Sequence, residues 1–83
     1  MIKDIGLEVA KHAENNINDW GLQDFLTLIV VATEELGETA KEVLEHNQGR
    51  YSLDEIRDEA KDFAAVGLQI MALVDEKQKK EGE

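Results

Sequence analysis

The sequence contains no cysteine and no proline. Without cysteine there is no disulfide framework, no thiolate zinc site and no cysteine nucleophile. Aromatic residues are few, with one Trp, one Tyr and two Phe. β-Branched or aromatic runs are scarce outside Leu28-Ile29-Val30-Val31, and with proline absent this points to an all-helical chain. No stretch is long and apolar enough to span a membrane, and Met1-Ile2-Lys3-Asp4 does not begin a signal peptide, so a cytoplasmic location is expected. Basic residues are outnumbered, with 9 Lys and Arg against 19 Asp and Glu and a formal net charge of -10. Phosphate backbones need Lys and Arg to displace their counterions, so a nucleic-acid duplex is not the expected partner. Cations or basic partners suit the charge, which by itself does not select between them.

What remains is helical periodicity and carboxylate. The 83 residues make one domain, 1–83, small for supporting its own core, and association is expected. Ile2, Ile5, Val9, Ala13 and Ile17 form a helical stripe over about residues 2–17, and Asn15-Asn16-Ile17-Asn18-Asp19 supplies turn and capping residues after it. A second helix is expected over about 22–46. Its main apolar face is Leu22, Phe25, Leu26, Ile29, Leu36, Ala40, Val43 and Leu44, while Leu28 and Val31 lie on another side. A helix that is apolar on more than one side is normally buried by several neighbours, which points to a homodimer or homotetramer.

Ser52-Leu53-Asp54-Glu55 is a capping box and starts a third helix over about 53–78. Leu53, Ile56, Ala60, Phe63, Ala64, Gly67, Ile70, Met71 and Val74 make its apolar face, and Val66 and Leu73 fall on a second one. Ala60, Ala64 and Gly67 are small enough to allow close helix approach, and the charged tail from Asp75 is expected to fray. The fold class is therefore all-α: a three-helix chain with a long antiparallel hairpin of helices two and three, its bundle completed by oligomerisation. Phe25 is expected in the core, and His12 in a packing or surface role. Trp20 at the first turn and Tyr51 are candidates for stacking a base.

The acidic residues follow the same periodicity. Residues three, four and seven apart share a helical face, so Glu35, Glu38 and Glu42 line one side of helix two and Glu55, Glu59 and Asp62 one side of helix three. Folding about Asn47-Gln48-Gly49-Arg50 matches Glu42 with Glu55, Glu38 with Glu59 and Glu35 with Asp62. At an effective dielectric of about 20, like charges about 5 Å apart repel by roughly 3 kcal/mol, so the group must be solvated apart, partly protonated or neutralised by a cation. An all-carboxylate site suits Mg²⁺ or Mn²⁺ better than zinc, and Mg²⁺ keeps positions free for water and phosphate, which makes phosphate-ester or anhydride hydrolysis the matching reaction class. An EF-hand is rejected. With Gly49 sixth and Glu55 twelfth, its first, third and fifth ligands would be Leu44, His46 and Gln48.

Glu34-Glu35-Leu36-Gly37-Glu38 followed by Glu59-Ala60-Lys61-Asp62 resembles the EExxE...ExxD signature of MazG-like all-α nucleoside triphosphate pyrophosphohydrolases, over about residues 22–74. The resemblance implies a helical bundle completed by dimerisation. It also implies Mg²⁺ on the carboxylates and hydrolysis of a nucleoside triphosphate to its monophosphate and pyrophosphate. By motif position Glu35, Glu38, Glu59 and Asp62 would be metal ligands, with Glu34 beside them or activating the attacking water. Arg50, Arg57, Lys77, Lys79 and Lys80 are the candidates for gripping the triphosphate. The alternative is a non-catalytic acidic helical oligomer that binds a basic partner.

Overall fold

The computed structural model describes residues 1–49 and 52–82. Among them the chain is all-helical, with α1 spanning Ile2–Trp20, α2 Phe25–Asn47 and α3 Leu53–Glu81. No helix is long and apolar enough to cross a membrane. Arg50 and Tyr51, named above as phosphate and base candidates, lie outside the described residues.

The helix ends have local causes, and three differ from expectation. The Asp24 carboxylate accepts the Thr27 N–H at 2.8 Å, which satisfies a first-turn amide and starts α2 at Phe25 rather than at Leu22. Leu22 sits instead in the connection and packs on the core. α1 continues through the Asn-rich segment to Trp20 and stops at Gly21, whose φ of 77° is a conformation that glycine adopts without penalty. Asn disfavours a helix by only about 0.7 kcal/mol per residue, and Asn16 gains a tertiary hydrogen bond to Gln69. Local turn preference therefore yields to packing. α3 also runs past the expected end to Glu81, with Glu76 and Lys80 paired one turn apart at 3.1 Å in the segment expected to fray. At its start Ser52 acts as expected, its hydroxyl accepting the Glu55 N–H at 3.3 Å.

α3 is the central helix. α1 lies parallel to it, since Glu8 meets Arg57, His12 meets Asp62 and Asn16 meets Gln69 in rising order. α2 returns antiparallel, with Glu35 beside Asp62 and Leu28 against Val66 and Leu73. Both flanking helices pack on α3 and not on one another, which leaves a cleft between them. Val9, Ala13 and Ala65 form one core cluster with Leu68; Leu28, Val66 and Leu73 form the other with Leu22, Val31, Ala32 and Ile70.

The faces used for this packing are not those expected. Leu28, on the minor stripe of α2, is 2 % exposed, while Leu26 and Leu44 of the main stripe are 74 % and 62 % exposed. On α3, Val66 and Leu73 are buried, whereas Leu53, Phe63, Met71 and Val74 of its main stripe remain at the surface. Ala60, Ala64 and Gly67 are exposed, Ala60 and Ala64 beside Ile5 and Val9 of α1 and Gly67 facing open space; the buried small residues are Ala13 and Ala65 instead. Phe25 is also exposed rather than core, with the Lys77 ammonium 5.7 Å from its ring centroid. The cause is connectivity. Only Gly21 to Asp24 join α1 to α2, so both are confined to one side of α3, and that side carries Ala65, Val66, Gln69 and Leu73.

Candidate functional site

The stripe that α2 turns inward begins as Leu28 and Val31 and continues as Glu35, while α3 supplies Val66 and then, toward its N-terminus, Asp62 and Glu59. One oxygen from each of Glu35, Glu59 and Asp62 lies within 4.8 Å of the other two, and all three side chains are part-buried. Burial first, and then Asp62, Glu59, Glu38 and Glu34, hold the Glu35 carboxyl above the ordinary carboxylate range. Glu59 is likewise held high, by burial and then by Asp62, Glu38, Glu42 and Asp58. The proximity of like charges is therefore felt at both members of the hairpin, although solvent reaching these part-exposed groups screens much of it.

Arg50 and Tyr51 apart, the acidic and basic residues anticipated for the site stand as follows. Glu38 is exposed and acts on both Glu35 and Glu59 through its charge, without joining the three convergent oxygens. Glu34 is exposed beside Glu35. The expected outer pair of Glu42 and Glu55 does not form as a pair: Glu55 is exposed in the first turn of α3, while Glu42 is turned inward and buried. Its Oε2 has no hydrogen-bond partner among the described residues. Lys77 is held over Phe25 and Lys80 on Glu76, and neither lines the cleft. Arg57 is occupied by Glu8, to which both guanidinium nitrogens donate at 2.8 Å.

The cleft between α1 and α2 has a volume of about 440 Å³. At one end stand Glu35, Asp62 and His12; one to two turns along are Asn16, Gln69, Thr27 and the Trp20 rim. Trp20 is 75 % exposed, and its carbonyl accepts from the Gln23 side chain at 2.6 Å. Asn16 Nδ2 donates to Gln69 Oε1 at 3.0 Å, which satisfies one polar group of the buried Gln69. Volume and lining, with apolar walls and a few converging polar groups, are those of a small-molecule pocket.

His12 is the site residue that sequence reasoning passed over. Its Nε2 lies 2.8 Å from Asp62 Oδ1, so the imidazole holds one of the convergent carboxylates. A signal for it exists: Glu8, His12 and Asn16 recur every four residues beside the Val9–Ala13–Ile17 stripe, making a polar row that borders a buried face. All three find partners on α3.

The donor set is entirely carboxylate oxygen, and its members repel one another, so the arrangement can hold a hard divalent cation. Glu42, whose Oε2 has no hydrogen-bond partner among the described residues, adds its charge at Glu59. No family model matches the chain, and no curated protein or solved structure does.

Proposed function

We propose that the chain is a Mg²⁺-dependent nucleoside triphosphate pyrophosphohydrolase of the MazG-like kind, hydrolysing a nucleoside triphosphate to a monophosphate and pyrophosphate. One observation carries the reading: the Glu35, Glu59 and Asp62 oxygens converge within 4.8 Å at the end of a cleft of about 440 Å³ whose far end presents Trp20 and the Asn16–Gln69 pair. In this reading Glu35, Glu38, Glu59 and Asp62 hold Mg²⁺, or Mn²⁺, and such an ion supplies charge neutralisation at the phosphoryl oxygens. Glu34, next to the cluster, orients the attacking water or takes its proton. His12 keeps Asp62 in place, the Trp20 ring offers a face for stacking a base, and no covalent nucleophile is required. For Lys77 or Lys80 to grip the triphosphate they must leave Phe25 and Glu76; Arg50 or a partner subunit is the other source. The reading carries with it a homodimer or homotetramer that covers the exposed apolar stripe, and a cytoplasmic location with access to nucleotide pools.

The test is a pyrophosphate-release screen over canonical, deoxy and modified nucleoside triphosphates with Mg²⁺ and with Mn²⁺. Turnover of at least one triphosphate is expected. Glu38→Gln or Glu59→Gln should lower it on the order of 100-fold with the helical circular dichroism unchanged, since even groups that only support metal ligands are worth about 10- to 100-fold. Absence of turnover across the whole screen overturns the enzymatic reading. The net charge of -10 favours a second reading, a non-catalytic acidic oligomer that binds a basic partner. A saturable rise in melting temperature with Mn²⁺ that disappears in Glu38→Gln counts against it, because a ligand stabilises only by binding the folded state.

A further inference from the structure

Gln69 is the uncharged polar side chain that folding buries among the described residues. It is 6 % exposed and lines the cleft. Its Oε1 accepts from Asn16 Nδ2 at 3.0 Å, and Asn16 lines the cleft as well. A carboxamide offers two N–H donors and an oxygen with two lone pairs, so one shared bond leaves capacity on both partners. No other side-chain hydrogen bond holds either group among the described residues. Asn16 Oδ1 and Gln69 Nε2 are therefore left as an acceptor and a donor on neighbouring amides. Turning both amides over exchanges the two roles and leaves the same pair. Set among the apolar residues Leu28, Val31 and Val66, they are converging polar groups of the kind that orient a ligand in a pocket.

Trp20 stands at the same end of the cleft, 75 % exposed and one helical turn beyond Asn16 on α1. An aromatic face for stacking and a donor–acceptor edge for hydrogen bonding are the two elements by which proteins recognise an unpaired base. The depth of the cleft agrees. Gln69 lies seven residues beyond Asp62 on α3, about 10 Å along the axis at a rise of about 1.5 Å per residue. A nucleoside with a hydrogen bond added at its base edge has that order of length to its 5′ oxygen, so a 5′-phosphate falls toward Glu35 and Asp62. We infer that Asn16 and Gln69 determine the specificity of the cleft, their spare acceptor and donor reading the Watson–Crick edge of a nucleobase stacked on Trp20. The role rests on the nucleotide reading above and falls to two residues outside the EExxE...ExxD pattern. It requires a base with a donor and an acceptor side by side: a ring N–H next to a carbonyl, or an amino group next to a ring nitrogen.

Trp20 is the one tryptophan of the chain, so tryptophan fluorescence reports a base stacked on it. The experiment titrates the full chain, in chelator, with uridine, thymidine, inosine, cytidine and adenosine. Each is paired with an analogue that stacks alike but has a blocked edge: methylated on the ring N–H for the first three, with the ring acceptor nitrogen replaced by C–H for the last two. At least one nucleoside should quench saturably, and its blocked analogue should bind about 10-fold more weakly, since one hydrogen bond is worth about that factor. Asn16→Ala and Gln69→Leu, with helical circular dichroism retained, should bring the nucleoside down to the affinity of its analogue. Equal binding of nucleoside and analogue by wild type, which is stacking on Trp20 alone, overturns the role without recourse to any variant. Discrimination that survives in both variants overturns it too, as does the absence of quenching by every nucleoside. Neither metal nor turnover enters the measurement. Pyrophosphate release without edge discrimination removes the base-reading pair and leaves the hydrolase; edge discrimination without turnover of any triphosphate does the reverse.

Discussion

His12 and Asp62 meet across α1 and α3 at 2.8 Å with both side chains part-exposed. An imidazole N–H donated from Nε2 leaves the second Asp62 oxygen available to a cation and restricts the carboxylate's rotation. His12→Ala should therefore weaken Mn²⁺ affinity by about 10-fold, with His12→Asn or His12→Gln recovering part of it. If His12 served only to pack α1, Mn²⁺ affinity would follow thermal stability across the three variants rather than the presence of a donor. The crowding at Glu59 makes a second expectation. Its carboxyl is held high by burial and by Asp62, Glu38 and Glu42, so its ionised form opposes folding when no cation is bound. Glu59→Gln should therefore raise the melting temperature of the metal-free chain. Calorimetry in chelator should show the rise, and excess Mn²⁺ should remove or reverse it.

At the scale of the helices, α1 depends on a polar row as much as on its short apolar stripe. Val9 and Ala13 are buried, while Ile2 is 77 % exposed, and beside Val9 the N-terminal half is tied to α3 through Glu8, which meets Arg57 and Lys61. Hydrogen bonding to Arg57 is the largest effect on the Glu8 carboxyl; burial opposes it, and the charges of Arg57 and then Lys61 add to the lowering, which takes the carboxyl from 4.5 to about 2. A depressed folded-state value means that this contribution to stability is fully present above pH 4.5 and is lost as pH falls through about 2. Arg57→Ala should therefore lower the urea midpoint at pH 6 and flatten its fall between pH 4.5 and 2, where the wild type is steepest. An unchanged pH profile in Arg57→Ala would refute this account of α1. The helices themselves are legible in the sequence because a 3.6-residue period and a Ser52 cap need no partner to be recognised. The α1 terminus is not legible, because the Asn-rich turn signal there is outweighed by the bond from Asn16 to Gln69.

The whole molecule is long and thin, 54 × 28 × 20 Å, a shape that leaves little interior for a chain of 83 residues. Leu26, Ile29, Leu36 and Leu44 on α2 and Phe63 and Met71 on α3 stay at the surface. Exposed apolar surface on this scale is ordinarily covered by association. Light scattering should give a mass of two or four chains of 9.3 kDa each. The double variant Ile29→Glu, Met71→Glu should shift the mass toward a single chain and make the melting temperature independent of protein concentration, whereas the wild-type value rises with it. A wild-type protein that stays monomeric at high micromolar concentration would remove the oligomer from the proposed function.

The sequence by itself determined that the chain is helical, that two of its helices form a hairpin, and that carboxylates on the two helices meet at matching depth. Each of these follows from a local period or cap together with reflection about one short loop, and the convergence of Glu35 and Asp62 is that reflection realised. Only the tertiary structure decided which of two apolar stripes would close the hairpin. α2 and α3 each carry both stripes, and the choice fell to the short link at Gly21 to Asp24, which places α1 and α2 on one side of α3. The same choice turned Glu42 inward, left Phe25 and Leu26 outside and brought His12 to Asp62. Periodicity defines the faces of a helix, but which face meets which depends on a third element and on the length of chain that tethers it.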